Sequence, residues 1–172
     1  MPVRASAAST VVGSAAAVSG AVASVAAVSA AVNGGVYYEP YFVSEIYDSD
    51  GRICEIINPK AVRKTISEKA SVTLRGYLED VVTKGSGKQA YIEGYRVGGK
   101  TGTAQKYENG RIAQGKYVMS FVGFFPADDP EYVALCVVDE PVGGKYGSTV
   151  AAPLVKEVFE GIIGCKNLKK RA

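Results

Sequence analysis

Lys100, Thr101, Gly102 and Thr103 stand in one short run, GYRVGGKTGTAQK over residues 94–106, which carries an ammonium, two hydroxyls and a side-chain-free stretch of backbone. These groups hold a carboxylate and stabilise an oxyanion in acyl transfer at a serine. Tyr95-Arg96-Val97 reads as strand, and Gly98, Gly99 and Gly102 leave the main chain bare around Lys100 and Thr101. Glycine inside a strand often marks a place where a ligand or another backbone comes close. If residues 97–104 are extended, Lys100 and Gly102 face one side while Thr101 and Thr103 face the other. A twist or bulge at the glycines would bring the lysine and a threonine to one cleft. The plainer alternative is a glycine-weakened edge strand with a solvated lysine. A nucleophile to match these groups is not recognisable. No serine in the chain has lysine three positions later, and Asn33, Asn58, Asn109 and Asn167 follow Ala31, Ile56, Tyr107 and Cys165 by two.

The run GYRVGGKTGTAQK, followed by residues 117–126 (YVMSFVGFFP), resembles the C-terminal part of the transpeptidase domain of class B penicillin-binding proteins. Asn33-Gly34-Gly35 with the tyrosines and Pro40 after it, residues 81–88 (VVTKGSGK) and residues 147–153 (GSTVAAP) fit the same family in order and spacing. The likeness runs from about Ala26 to about Ile163. It implies peptidoglycan D,D-transpeptidation, in which a serine attacks the D-Ala-D-Ala carbonyl of a stem peptide and β-lactams acylate the same serine. The family works with Ser-x-x-Lys, Ser-x-Asn and Lys-Thr-Gly, of which only the third is found here. By resemblance, Lys100 is the catalytic residue of a partial site and supports the proton relay. Thr101 and Thr103 hydroxyls bind the substrate carboxylate along the Gly102 backbone, and the Thr103 N–H is an oxyanion donor. The chain thus looks like the back third or half of such a domain, a penicillin-binding fragment expected to be inert alone. The β-lactamase branch shares the Lys-Thr-Gly strand but fits the FVGFFP strand less well. A non-catalytic carboxylate- or peptide-binding module, or a dead-end product, is the alternative, and an unrelated α+β surface module a minor one. The resemblance also implies an extracytoplasmic location at the cytoplasmic membrane.

Composition narrows the classes. The 172 residues allow one domain with a core. A balance of 20 basic against 17 acidic residues gives +3, too mild for a nucleic-acid partner. Absence of histidine removes Ser-His-Asp catalysis and histidine metal ligation. Cys54, Cys136 and Cys165 are too scattered for a CxxC-type site, so neither metal nor cofactor is expected. Cys136 reads as a small core residue, and a Cys54–Cys165 disulfide is a minority alternative.

Residues 5–32 hold no charge and only Ala, Ser, Val, Gly and one Thr. Val11, Val18, Val25 and Val32 recur every seven residues, a helical stripe. A transmembrane helix, a signal peptide led by Arg4, a low-complexity tail and a rearranged reading frame all compete for this stretch. Residues 1–20 are read as a low-complexity segment, and residues 21–172 as a partial transpeptidase domain opening with a packed helix from Ala21 to Val32.

Further on, residues 36–46 and 52–57 flank the turn Asp48-Ser49-Asp50-Gly51 as a hairpin ended by Asn58-Pro59. Ser67 caps a helix with apolar Val72, Leu74, Leu78, Val81 and Val82, running to Thr83. Strands follow near residues 94–105, 117–125 and 132–139, the last two joined antiparallel by Asp128-Asp129-Pro130. A helix from Ser148 or Thr149 through Ile163 is closed by Gly164, and Lys166–Arg171 is a solvated basic tail. The fold class is therefore α+β: a three-stranded antiparallel sheet packed by helices, plus a separate hairpin. The resemblance implies a five-stranded sheet in the intact domain, with the missing strands beside residues 132–139. That edge would favour self-association.

Overall fold

The computed structural model describes residues 15–143 and 146–170. Helix α1 (Ala15–Val32) starts ahead of the expected Ala21, while the rest of the low-complexity segment lies outside the described residues. Near its C-terminal end Ala30 and Val32 are buried. Asn33 ends it by bonding Val36 at both N–H and carbonyl, 3.0 and 2.8 Å.

Four short strands come next: β1 (Val36–Tyr38), β2 (Glu45–Tyr47), β3 (Ile53–Ile56) and β4 (Ala61–Lys64). The turn at Asp48 joins β2 to β3 as expected, with its carboxylate accepting from the Asp50 and Arg52 N–H groups at 2.9 Å each. Residues 36–46, however, are not one strand. Pro40 has no N–H to give a ladder, and β1 pairs instead with β4, a strand too short and too charged to show a period-2 pattern.

Helix α2 (Glu68–Thr83) begins where the sequence places it, with the Ser67 hydroxyl accepting from the Ala70 N–H at 3.2 Å. Its inner face differs from the expected stripe: Val72 is exposed, and Ser71 is wholly buried. Ser71 donates to the Ala31 carbonyl at 2.7 Å and accepts from the Gly34 N–H at 3.0 Å, tying the end of α1 to α2. A hydroxyl making both bonds satisfies two backbone groups that would otherwise be stranded.

The central sheet has the order β5 (Gly98–Glu108), β6 (Arg111–Phe125), β7 (Tyr132–Asp139), all antiparallel. Strand β5 begins at Gly98, because residues 92–95 form a tight bridge of their own rather than a strand. Helix α3 (Gly147–Lys166) covers one face of the sheet. It continues through Gly164 and stops at Asn167, which adopts the left-handed conformation and lets the Leu168 N–H reach the Ile163 carbonyl at 3.1 Å. The basic tail is thus not simply solvated: Leu168 packs on the core and its carbonyl accepts from the Tyr95 hydroxyl at 2.9 Å.

Phe121, Phe125, Ala151, Ala152, Val155 and Phe159 form the core between sheet and α3, joined by Val82 and Val97. Phe124, on the opposite face of β6, packs with Val32 and Ala127. All three cysteines are free, which disposes of a Cys54–Cys165 bridge. Cys136 is half-buried against the core, and burial pushes its thiol pKa up. Among the described residues no helix is long and apolar enough to cross a membrane.

Candidate active site

The Lys-Thr-Gly-Thr run lies on β5, an edge strand of the central sheet. Its pairing with β6 is regular from Gly98 to Gln105, Lys100 opposite Val122, Thr101 opposite Phe121, Gly102 opposite Ser120 and Thr103 opposite Met119. The only shift falls after Gln105, so no bulge at the glycines brings the two sets of side chains together. Lys100 shares a face with Phe124, toward α1, and Thr101 and Thr103 share the face of Phe121, toward α3. Lys100 gains the edge by its own length. Its Nζ donates to the Thr101 carbonyl at 2.6 Å, so the ammonium sits beside the threonine that follows it. The side chain is exposed, and among the described residues no carboxylate pairs with it. Lys106, by contrast, is held by Asp139 at 3.0 Å and Glu140 at 2.7 Å.

Both threonine hydroxyls have neighbours from other elements. The Gly147 N–H at the start of α3 donates to Thr103 Oγ1 at 3.3 Å. Ser86, in the loop after α2, places its Oγ 3.3 Å from Thr101 Oγ1. The arrangement offers one ammonium and two hydroxyls on an open edge, the chemistry of an anion-binding strip.

Of the two causes the sequence suggests for the glycines around the run, a ligand or a neighbouring chain segment, the structure shows the second. A Cβ at Gly98 would enter the Phe124 ring, and one at Gly99 the Phe121 ring. At Gly102 it would meet Ser120 Oγ. The close approach is made by the protein's own strand β6, not by a vacant ligand cleft. Gly147 faces backbone rather than side chains: a Cβ there would lie 2.5 Å from both the Gly102 and Ser120 carbonyl oxygens. Bare backbone at residue 147 therefore lets α3 seat directly on the Lys-Thr-Gly segment.

Sequence reasoning finds Lys100, Thr101, Gly102 and Thr103 but passes over Ser86 and Gly147 as parts of the site. The flanking glycines of Gly85-Ser86-Gly87 are the available signal for the first. No group of three or more metal-binding side chains exists among the described residues.

A family model for the penicillin binding protein transpeptidase domain matches residues 5–160. Stage V sporulation protein D of Bacillus subtilis is 43% identical over 142 residues, which cover 81% of this chain and 22% of that protein. A peptidoglycan D,D-transpeptidase FtsI homolog of Chlorokybus atmophyticus is 42% identical over 109 residues, 62% of this chain and 16% of that protein. Among solved structures, penicillin binding protein 3 from Mycobacterium tuberculosis superposes with a TM-score of 0.72 at 30% identity, covering 83% of this chain and 34% of that one. The same protein complexed with aztreonam superposes equally well, at 29% identity. The chain thus spans about a fifth of the curated relatives' length and about a third of that structure.

Proposed function

Because the chain belongs to the penicillin-binding protein transpeptidase domain family, we propose that it supplies the Lys-Thr-Gly half of a peptidoglycan D,D-transpeptidase site. Lys100 contributes positive charge beside the reacting centre. Thr101 and Thr103 hydroxyls take the terminal carboxylate of a D-Ala-D-Ala stem peptide, or the carboxylate of a β-lactam. The Thr103 N–H, next to Gly102, serves as one oxyanion donor. The observation that carries this reading is the open β5 edge, which gathers two hydroxyls and an ammonium that no carboxylate neutralises among the described residues.

The covalent step needs a nucleophile and its base, and these 172 residues hold no Ser-x-x-Lys and no Ser-x-Asn. Oxyanion donors and binding groups without the nucleophile retain only a small part of the acceleration. The chain alone is therefore inert toward β-lactams, and chemistry returns only with a polypeptide carrying the other motifs. Its natural setting, by kinship, is cell-wall synthesis on the outer side of the cytoplasmic membrane. Strand β7 is the second open edge of the sheet, with Val137 half exposed, and at high concentration it pairs with a second copy.

Incubation with a fluorescent penicillin followed by denaturing electrophoresis tests the reading. The chain alone stays dark. Co-expressed with a relative's segment bearing Ser-x-x-Lys and Ser-x-Asn, it supports labelling of that segment, and Lys100→Ala abolishes the signal. Labelling of the isolated chain would show that it is not inert. Failure of every co-expressed segment would favour the second reading, a carboxylate-binding module without chemistry, which the missing nucleophile motif also suits.

A further inference from the structure

We propose that Ser86 is a positioning residue for carboxylate capture, acting through Thr101. This rests on the reading of β5 as the carboxylate-binding strip and adds a residue and a mechanism to it. A hydroxyl has one proton to give and two lone pairs to receive with. For Thr101 to donate to a bound carboxylate, its proton must point out from the edge, and the bond to Ser86 must then run the other way. With the two oxygens 3.3 Å apart, either can be the donor. An anion at the edge selects one arrangement, in which Ser86 O–H donates to Thr101 Oγ1 and Thr101 O–H donates to the carboxylate. Such a chain is polarised in one sense and strengthens its terminal bond.

The loop holding Ser86 is built to stay in place. The Lys84 and Gly85 N–H groups both donate to the Asp80 carbonyl, at 2.8 and 2.9 Å, and the Gly87 N–H donates to the Val81 carbonyl at 2.8 Å. A Cβ at Gly85 would lie 3.0 Å from Val81 backbone atoms, and one at Gly87 3.1 Å from the Val81 carbonyl oxygen and 3.3 Å from the Phe121 ring. The loop therefore wraps the end of α2 closely, and a side chain on either neighbour of Ser86 would need the helix end to give by a few tenths of an ångström. Its own side chain is exposed and faces β5. A serine fixed between two glycines over a helix end loses little freedom when an anion arrives.

Specificity is the signature of this arrangement. Ser86 favours a carboxylate over a neutral amide of the same shape, because only the anion demands that both hydroxyls donate in one direction. Threonine at 86 preserves the effect, since it keeps the hydroxyl.

The test is an NMR titration of the isotope-labelled full chain with N-acetyl-D-alanine at neutral pH, with N-acetyl-D-alaninamide as the neutral probe, following the Thr101, Gly102 and Thr103 amides. Ser86→Ala should weaken carboxylate binding roughly threefold to tenfold, leave amide binding unchanged and leave the melting temperature unchanged. Ser86→Thr should restore the wild-type affinity. In a Thr101→Val background, which already removes the intermediary hydroxyl, Ser86→Ala should cost nothing further. Equal carboxylate affinity in wild type and Ser86→Ala would overturn the positioning role while leaving the strip itself standing. Additive losses in the double variant would overturn the relay through Thr101. No carboxylate-dependent shift in the wild-type chain would overturn the strip and, with it, the role of Ser86.

Discussion

The same substitution, glycine to alanine, should act in opposite senses at two positions of helix α3, and the contrast isolates how the helix is seated on the candidate site. At Gly161 a Cβ would meet nothing within 4 Å, so alanine there brings only its better helix propensity, worth about 0.8–1 kcal/mol. At Gly147 the Cβ would lie 2.5 Å from two backbone oxygens, those of Gly102 and Ser120, which stand opposite each other in the β5–β6 ladder. Ordinary contact begins near 3.4 Å, so roughly 0.9 Å of movement is required of α3 or of the sheet. Paired strands cannot turn such oxygens aside as a flexible side chain could. Overpacking of this kind costs about 1–3 kcal/mol, and the propensity gain at a first helical position recovers under about 1 kcal/mol of it. The net loss is about 1–2 kcal/mol, a fall of roughly 2–8 °C in Tm for a chain of this size. Displacement also stretches the Gly147 N–H bond to Thr103 Oγ1, already 3.3 Å long, so the amide signal of Thr103 should move. Thermal unfolding by circular dichroism measures the first effect and NMR the second. A Gly147→Ala chain that melts at or above the wild type would refute the close seating of α3 on the Lys-Thr-Gly segment.

Ser67→Ala should cost about 1 kcal/mol in urea unfolding, because the N-cap hydroxyl that accepts from the Ala70 N–H is lost; an unchanged midpoint would deny the cap. Arg96 grips Glu79 with two bonds of 2.8 and 2.6 Å, linking α2 to the chain just before β5. Arg96 is 46% exposed, so screening trims the pair, and a double-mutant cycle should return about 0.5–1 kcal/mol of coupling, shrinking in molar salt. Cys136, half-buried with its thiol pKa raised above 9.0 by burial, should react with iodoacetamide more slowly than exposed Cys54 and Cys165, and catch up in urea. The same shift fixes a sign: above about pH 9 the unfolded thiol loses its proton before the folded one, so stability should fall as pH rises through that range. Uniform alkylation of all three thiols in the folded chain would contradict the burial.

Elements with local causes are legible in the sequence, and those with distant causes are not. Ser67 and the apolar residues behind it announce α2, and Asp48 to Gly51 announces a turn, because capping and turn chemistry act within a few residues. Strand β4 escapes, since Ala61–Lys64 is recognisable only by its partner β1, which lies on the other side of the β2–β3 hairpin. Gly164 reads as a stop. The helix passes through it because Asn167 adopts the left-handed turn and Leu168 has a place in the core, a contact no local pattern reveals. Val72 is a core position by period, yet the inner place goes to Ser71, whose value comes from two backbone groups at the far end of α1.

The candidate site divides along the same line. Lys100, Thr101, Gly102 and Thr103 are contiguous, so their chemistry can be read together. Ser86 and Gly147 reach them only through folding, from the loop after α2 and from the start of α3. The glycines show how a motif can leave two reasons open until the fold chooses between them. Bare backbone at residues 98, 99 and 102 suggests the close approach of a ligand or of another strand, and it is strand β6 that comes close, with the rings of Phe124 and Phe121 and the Ser120 hydroxyl on those faces. That occupation has a use. It pins β5 flat against β6 over eight residues of unbroken register, leaving the strand's outer edge as the free surface. An anion-binding strip gains affinity from donors that need not rearrange when the ligand arrives. The aromatic residues of β6 therefore serve the site as much as Lys100 does. Enlarging any of the three glycines should weaken carboxylate binding through the register of β5, before any change at Lys100 itself.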